Sequence, residues 1–487
     1  MQLGDLLREV DTVKINADLH TEIGSICYDT RKQETGAVFI AIRGFESDGH
    51  MYISDAVSNG AVCVICESEP DVSTPYIIVR NAREALALVS AAWFGHPESK
   101  LIISGVTGTN GKTTVTTVLK QVIEKCTGQP VGLVGSYVNM LGSKETHAER
   151  TTPESYEIFE FLAAAVKEGC KHVVLEVSSH ALELYRVHGI EFEVGVYTNL
   201  TPDHLDFHPS MDEYAKAKSL LFASSRYSVI NSDDAYAEVM INNAHGAVTT
   251  YAVDDSAADI TARSIKLMAD KVDFCVLTVG ILKRVELNIP GMFSVYNALA
   301  VISAALLLGF DLEQIGAVLP ECKGVRGRAE IVPTDGDFTV LIDHAHSPDA
   351  LKNIITAARG FSRGRVVILF GCGGDRDKTK RPLMGEVAAK LANFVIVTSD
   401  NPRTEEPEAI INDILAGIGA SKTPFRAITN RREAIYWALD RSLSGDVLIL
   451  AGKGHEDYQV IGKVKSHFDE REVVADWLQE NRTGKDF

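Results

Sequence analysis

The sequence predicts an α/β protein of three domains, residues 1–98, 99–328 and 329–487, and three observations lead there. From Leu101 to about Gly327, strand-like segments (VVLEVS, VGVYTNL, YSVIN) alternate with helical patterns, as in a mostly parallel sheet covered by helices. At the head of that segment, the glycine-rich SGVTGTNGKTT stands between a strand pattern and a helix pattern. From Phe338 onward, apolar strands end in polar or glycine-rich loops: FTVLIDHAHSPD, RVVILFGCGGDRD, NFVIVTSDNPR and DVLILAGKGHE. This last domain reads as Rossmann-like. Its four loops are predicted to share one rim, because ligands of open α/β sheets gather at the carboxyl ends of strands.

The first domain reads as a small α/β unit. Between about Gly36 and Val79 the apolar runs AVFIAI, AVCVIC and YIIV are separated by turn-rich stretches such as RGFESDGH. A helix, EALALVSAAWF, follows, then a linker, FGHPESK. Late in the middle domain, Asp259 to Leu287 reads as alternating strands and NALAVISAALLLGF as a helix. A chain of 487 residues exceeds what one core serves, in keeping with several domains.

Composition narrows the partners. Hydrophobic residues at 45% and charged residues at 23% are globular values. A net charge of -18 argues against nucleic acid and for small-molecule substrates, while leaving room for a local phosphate pocket. MQLGDLLREV lacks the apolar core of a signal peptide, and Ala298 to Phe310 falls short of the about 20 residues a membrane span needs. A cytoplasmic monomer without membrane insertion is expected. The lone C-x-x-C, Cys63 to Cys66, has no second pair at zinc spacing and reads as a buried strand.

After SGVTGTNGKTT, apolar residues at Val115, Val118, Leu119, Val122, Ile123 and Cys126 mark one helix face. A strand, a glycine turn and a helix N-terminus present N–H groups and a positive dipole end to phosphates. In such a loop Lys112 reaches the β and γ phosphates and the Thr113 hydroxyl binds Mg²⁺. Val106 replaces the first glycine of G-x-x-x-x-G-K-[ST], with Gly105 and Gly108 beside it.

Glu176 closes the strand of VVLEVSSH, and His204 lies in TPDHLDFH beyond VGVYTNL, so both fall at carboxyl ends of strands in the same sheet. Oxygen and imidazole ligands there suit Mg²⁺ between ATP and substrate; taken alone, the glutamate is equally a solvated strand end and the histidine a turn cap. Lys218 is sharper. With Tyr214, Leu221 and Phe222 at helical spacing it points with an apolar face, whereas Lys216 points away. A buried lysine has a depressed pKa and reacts with CO₂; the alternative is a stem snorkelling to solvent.

GTNGKTT resembles the ATP loop of the Mur ligase family and of their relatives, the folylpolyglutamate synthetases. The resemblance runs through the whole chain. It implies ATP binding by Gly108, Thr109, Asn110, Gly111, Lys112, Thr113 and Thr114, and two Mg²⁺ held with Thr113, Glu176, His204 and Lys218, the lysine as a carbamate. GMFSVYNALA is similar to the family's adenine-side motif at Asn297, with Ser294 where a first asparagine is usual. Arg328 in GRAE, and Asp343 and His346 in DHAHSPD, resemble residues that close over ATP; His344 stands where tyrosine is more frequent and receives no role. Closure excludes water from a hydrolysable acyl phosphate.

DTRKQETGAVFIAIRGFESDGH resembles a uridine-nucleotide-binding domain and brings in Thr30 and Arg31, with Thr151, Thr152, Ser178 and Arg186 matching contacts to a UDP-linked muramoyl dipeptide. Arg186 suits a carboxylate by its bidentate fork, or else makes a surface ion pair. In the family, DNPR (Asp400 to Arg403) accompanies meso-diaminopimelate, and Arg376, Asp400, Asn401, Arg403, Gly452 and Glu456 match that pocket. An arginine suits the second carboxylate of that amino acid, which L-lysine lacks. Without the resemblance, DNPR is a turn before a helix with Thr404 as its cap. The implied reaction is ATP-dependent amide formation through an acyl phosphate, with catalysis by Lys112, Glu176, His204 and Lys218. The rivals are L-lysine as the incoming residue, a folate-polyglutamylating ligase, and a catalytically silent nucleotide-binding regulator.

Overall fold

The computed structural model describes residues 1–44, 47–205, 207–419 and 421–483; Phe45 and Glu46 of RGFESDGH and Asp206 of TPDHLDFH lie outside them. Contacts divide the chain into two compact units. One is Met1–Leu200 with His204–Thr250 and Leu307–Gly309; the other is Thr201–Asp203 with Tyr251–Leu306 and Phe310–Phe487.

The first unit holds two sheets. The N-terminal one runs in the order Thr12–Asn16, Tyr76–Val79, Cys63–Cys66, Ala37–Ile40, Ser25–Cys27, parallel except at Thr12–Asn16. The three apolar runs form its buried strands. Thr12–Asn16, which the sequence pattern does not announce, is an edge strand whose side chains are mostly exposed, so it carries no apolar alternation. AVCVIC is a buried strand as predicted; burial pushes the Cys63 thiol up to about 12 and Cys66 to about 11, so both are packing residues. Asn81 caps the helix Ala82–Trp93 by accepting from the N–H groups of Arg83 and Glu84.

The second sheet of this unit places Ile102–Thr107 between His172–Glu176 and Phe192–Tyr197, with Val131–Val134 and Ser225–Asn231 outside them, all parallel. Helices cover both faces, which is why these strands read as continuous apolar runs. The hairpin Val138–Leu141 and Lys144–His147 extends one edge. Gly105 is required in the central strand: a Cβ there would stand 2.8 Å from the Phe192 ring. The carboxyl ends of the three central strands carry the phosphate loop, Glu176 and the segment leading to His204.

The second unit contains an antiparallel meander, Ile260–Leu267, Val272–Thr278 and Ile281–Leu287, where alternating strands were expected, and the helix Met292–Leu307. Its six-stranded sheet has the order Glu330–Val332, Thr339–Asp343, Val447–Ala451, Val366–Phe370, Phe394–Val397, Phe425–Ala427. The four predicted strands are mutually parallel, so their loops do share one rim. Among the described residues, no helix is long and apolar enough to cross a membrane.

A buried cation ties that rim together. Arg431, fully buried, pairs with Glu470 at 2.7 Å and donates to the carbonyl of Ala451 at 2.8 Å, the last residue of its strand, and to that of Ser399 at 3.4 Å, just beyond the end of another. Replacing Arg431 with Met leaves Glu470 buried without its partner, an expected loss of about 3–5 kcal/mol. The measurement is urea unfolding followed by fluorescence of Trp437 and Trp477, which pack in this core. Arg431→Met combined with Glu470→Leu should recover most of the loss.

Candidate functional site

The phosphate loop folds as its glycines dictate. Gly108 (φ 147°) and Gly111 (φ 89°) adopt backbone angles open to glycine, and a Cβ on Gly108 would lie 1.9 Å from Thr198 Oγ1. The helix Lys112–Thr127 starts directly after, with Val115, Val118, Leu119, Val122 and Ile123 buried and Cys126 half-buried. Lys112 Nζ donates to the carbonyls of Gly108 (2.8 Å) and Thr109 (3.0 Å) and so sits over the loop.

Asn199 clamps this loop, and sequence reasoning missed it. Its carbonyl accepts from Thr109 N at 2.8 Å, its Oδ1 from Asn110 N at 2.9 Å, and its Nδ2 donates to the Asn110 carbonyl at 3.1 Å. The only sequence signal is its place just beyond the carboxyl end of the central strand Phe192–Tyr197.

Glu176 is fully buried and its carboxylate is fully engaged. It accepts from Thr113 Oγ1 (3.0 Å), Ser136 N (2.8 Å) and Ser136 Oγ (2.9 Å), while its main-chain carbonyl accepts from Thr152 Oγ1 (2.8 Å). With its one proton given to Glu176, Ser136 Oγ accepts from Thr151 Oγ1 at 3.0 Å, and Ser178 N donates to Thr152 Oγ1. One network thus joins Thr113, Glu176, Thr151, Thr152 and Ser178. Hydroxyl and carboxylate oxygens in contact at a phosphate loop fit Mg²⁺, which takes few protein ligands and keeps phosphate and water as the rest.

Lys218 is 1% exposed, so its stem does not snorkel. Its Nζ donates to the Gly108 carbonyl at 3.0 Å and lies 4.5 Å from the Tyr214 ring centre, while Lys216 points out to Glu213. His204 (φ 53°) accepts through its carbonyl from the N–H groups of Phe207 and His208, and its ring packs 5.0 Å from His180 and 6.3 Å from Tyr214. Thr113 and Glu176 come together directly. His204 and Lys218 share Tyr214 as a neighbour. Among the described residues, no three His, Cys, Asp or Glu side chains form a metal cage.

Arg186 is not a surface ion pair. Only 11% exposed, it donates to the Thr152 carbonyl (3.0 Å) and pairs with Glu154 at 2.9 Å. Glu154 also takes Arg83 and Arg150, each at 3.0 Å, a convergence of three arginines on one buried carboxylate that the sequence did not disclose. Thr30 and Arg31 lie in a short 3-10 turn, where Arg31 forks onto Asp29 and is otherwise exposed.

The remaining expected residues belong to the second unit. Asp343 accepts from Ala329 N at 2.7 Å; burial raises its pKa against the pull of Arg328. His346 Nδ1 meets the His344 carbonyl at 2.8 Å. Asn297 is buried in its helix, and Ser294 donates to the Pro290 carbonyl at 2.8 Å, so the serine is occupied by its own helix turn. On the rim, Asn401 Nδ2 donates to Glu456 Oε2 at 2.8 Å, and at Gly452 (φ 110°) a Cβ would stand 3.0 Å from Asp400 Oδ2. Burial, then Asp400, push Glu456 up, opposed by Lys453 and Asn401. Arg403 (φ 52°) is fixed by Nη1 donating to the Gly374 carbonyl at 2.7 Å and by a bridge to Ile461; Arg376 stays exposed. Thr404 does not cap the following helix. Its hydroxyl donates to Asp375 at 2.7 Å, and the helix Pro407–Ile418 begins at Glu406 without a side-chain cap, because Pro407 already removes one N–H needing a partner.

The comparisons follow the same order along the chain. Residues 22–95, 106–305 and 327–454 match, in turn, the Mur ligase family catalytic domain, the Mur ligase middle domain and the Mur ligase glutamate ligase domain. A relative from Caldanaerobacter subterraneus subsp. tengcongensis, named UDP-N-acetylmuramoyl-L-alanyl-D-glutamate--2,6-diaminopimelate ligase, is 46% identical over 99% of this chain and 100% of its own. The chain belongs to the Mur ligase family. A second Mur ligase of the same name, from Clostridioides difficile, is 42% identical over 98% of this chain and 99% of its own. A solved structure of a ligase of that name has a TM-score of 0.74 at 32% identity, covering 99% of both chains. A folylpolyglutamate synthase from Mycobacterium tuberculosis, 17% identical with a TM-score of 0.63 over 83% of this chain and 95% of its own, shares the Mur ligase fold.

Asn199→Ala removes two hydrogen bonds to the phosphate loop while leaving its phosphate-facing residues in place. At about 0.5–1.5 kcal/mol each, the expected rise in Kd for a non-hydrolysable ATP analogue is about tenfold. Isothermal titration checks it; unchanged affinity would mean the loop holds its shape without the clamp.

Proposed function

We propose that this chain joins the D-glutamate side-chain carboxylate of UDP-N-acetylmuramoyl-L-alanyl-D-glutamate to an amine of meso-2,6-diaminopimelate, converting ATP to ADP and phosphate, in the cytoplasm and as a monomer. The observation that carries the reading is likeness over 99% of the chain to a relative named for that reaction. In this reading residues 1–98 bind the UDP substrate through Thr30 and Arg31, residues 99–328 bind ATP, and residues 329–487 bind the amino acid.

The carboxylate oxygen attacks the γ-phosphorus and ADP leaves, giving an acyl phosphate. The amine then attacks the acyl carbon, loses a proton, and the tetrahedral intermediate expels phosphate. Lys112, now bonded to loop carbonyls, turns to the phosphates when they arrive. Loop N–H groups from Gly108 to Thr114 bind phosphate oxygens, and Asn297, Arg328, Asp343 and His346 serve the nucleotide and water exclusion. Two Mg²⁺, when bound, neutralise charge developing on the transferred phosphoryl group; Thr113, Glu176, His204 and Lys218 as its CO₂-derived carbamate would hold them. Burial of Lys218 beside the loop supports that role, since a desolvated amine is the form that adds CO₂. Thr151, Thr152, Ser178 and Arg186 orient the acceptor. Arg376, Asp400, Asn401, Arg403, Gly452 and Glu456 take the incoming amino acid, with the Arg403 fork on its distal carboxylate.

ADP release measured with a panel of amino acids tests the substrate. Turnover with meso-diaminopimelate should far exceed that with L-lysine; faster turnover with lysine would sink the assignment of Arg403. In Arg403→Ala the KM for diaminopimelate should rise about tenfold or more, as expected for a charged hydrogen bond of about 1.5–3 kcal/mol.

Lys218→Ala should nearly abolish turnover, with partial recovery on adding short carboxylates that replace the carbamate oxygens. Unchanged activity in the steady-state assay would refute that role.

A further inference from the structure

Lys453 was not among the residues the sequence singled out, yet it lies at the centre of the rim pocket. It follows Gly452 at the end of the strand Val447–Ala451 and is fully buried. Its Nζ meets four oxygens: the Tyr458 carbonyl at 2.8 Å, Asn401 Oδ1 at 3.2 Å, Asp400 Oδ1 at 3.2 Å and Glu456 Oε2 at 3.8 Å. An ammonium group donates and never accepts, and Val460 N, the second neighbour of Asn401 Oδ1 at 3.0 Å, is likewise only a donor. Two donors on one side fix which end of the Asn401 amide is oxygen. Its Nδ2 must then face Glu456 Oε2, where it stands at 2.8 Å. Among the described residues, the other oxygen of Glu456 makes no hydrogen bond.

We infer that Lys453 is a positioning residue for recognition of the incoming amino acid: by orienting the Asn401 amide and offsetting Asp400, it keeps Glu456 ionised and turned to accept that substrate's ammonium group. The inference rests on the ligase reading above. The charged groups around Glu456 are Asp400, Lys453 and Arg403, one carboxylate and two cations, with Asn401 as the hydrogen-bond donor. Removing the lysine leaves two carboxylates facing each other and one donor fewer on the amide. Glu456, already pushed up by burial and by Asp400, then takes a proton more readily and loses its attraction for an ammonium group.

The test uses the full chain carrying Lys453→Met, and Lys453→Met with Asp400→Asn, which removes the facing carboxylate along with the cation. Thermal melting first establishes folding. In folded Lys453→Met the KM for diaminopimelate is expected to rise about tenfold or more, with kcat and the KM for ATP within about twofold, and the acid limb of kcat/KM to move to higher pH; in the double variant that limb is expected to move back towards that of the unsubstituted chain. An unchanged KM for the amino acid, an equal fall in every kinetic parameter at every pH, or failure of both variants to fold would assign Lys453 a structural role only and overturn the inference. No turnover of diaminopimelate by the unsubstituted chain rejects the ligase reading along with it; normal turnover with an unmoved variant KM rejects the role of Lys453 alone.

Discussion

The buried carboxylate of Glu176 is the constraint around which the first unit's site is organised. A charge at the end of a covered strand is costly unless hydrogen bonds replace its water, and here three donors do so: Thr113 from the phosphate helix, and the main chain and hydroxyl of Ser136. These donors come from two segments, so the one carboxylate registers the helix start against the loop after the strand Val131–Val134. Gly135 is held to glycine by the same group, since a Cβ would lie 2.6 Å from Glu176 Oε1. The main-chain carbonyl of Glu176 carries the order on to Thr152, and Arg186 donates to the Thr152 carbonyl. The phosphate-loop helix, Glu176, Thr152 and Arg186 are thereby parts of one hydrogen-bonded body, the preorganisation that the proposed transfer between two substrates requires.

The second unit solves a similar problem with the opposite sign. Its rim loops are held by buried cations: Arg431 between strand ends, Arg381 on Glu405 and Asp413, and Lys453 among four oxygens. The Arg381 guanidinium holds Glu405 at about 2, well below the usual carboxylate range, and Glu405 in turn accepts from Asp375 N, fixing the turn that carries Arg376. Cations serve better than apolar packing at this place. Loop carbonyls beyond strand ends have no ladder partners, and a buried guanidinium can satisfy several of them at once.

Much of this was legible in the sequence wherever a signal is local. Covered parallel strands announce themselves as apolar runs, and the loops that end them carry glycine and charge, so the phosphate loop and all four rim loops were found. Lys218 was readable because helical spacing sets its neighbours. The edge strand Thr12–Asn16 was not, since it buries too little to leave a pattern. Asn199, Glu154 and Lys453 escaped for another reason: their importance lies in partners 89, 71 and 52 residues away, and spacing along the chain carries no trace of such pairs. Thr404 shows the converse error, a local cap signal overridden by Asp375, which competes for the same hydroxyl from 29 residues off.

On the proposed assignment of Arg403 to the distal carboxylate, selectivity for a dicarboxylic amino acid follows from how this side chain is held. Its backbone is held in the left-handed region by pairing with Val460 and Gly462 on either side, and Nη1 is committed to the Gly374 carbonyl. Among the described residues, that leaves a guanidinium fixed in direction with donors still to satisfy. Gly373 lets it lie close, because a Cβ there would stand 3.0 Å from Nη1. A ligand carboxylate completes such a fork at little entropic cost, since the arginine is already immobilised. On the same assignment L-lysine presents an ammonium group to Glu456 but no distal carboxylate, so binding it costs Arg403 its solvent without return. Sites built to bond a polar group reject the analogue lacking it more strongly than apolar pockets reject a missing methylene. On the proposed assignment, discrimination therefore comes from the unpaired arginine that the wrong amino acid leaves behind, more than from any extra contact with the right one.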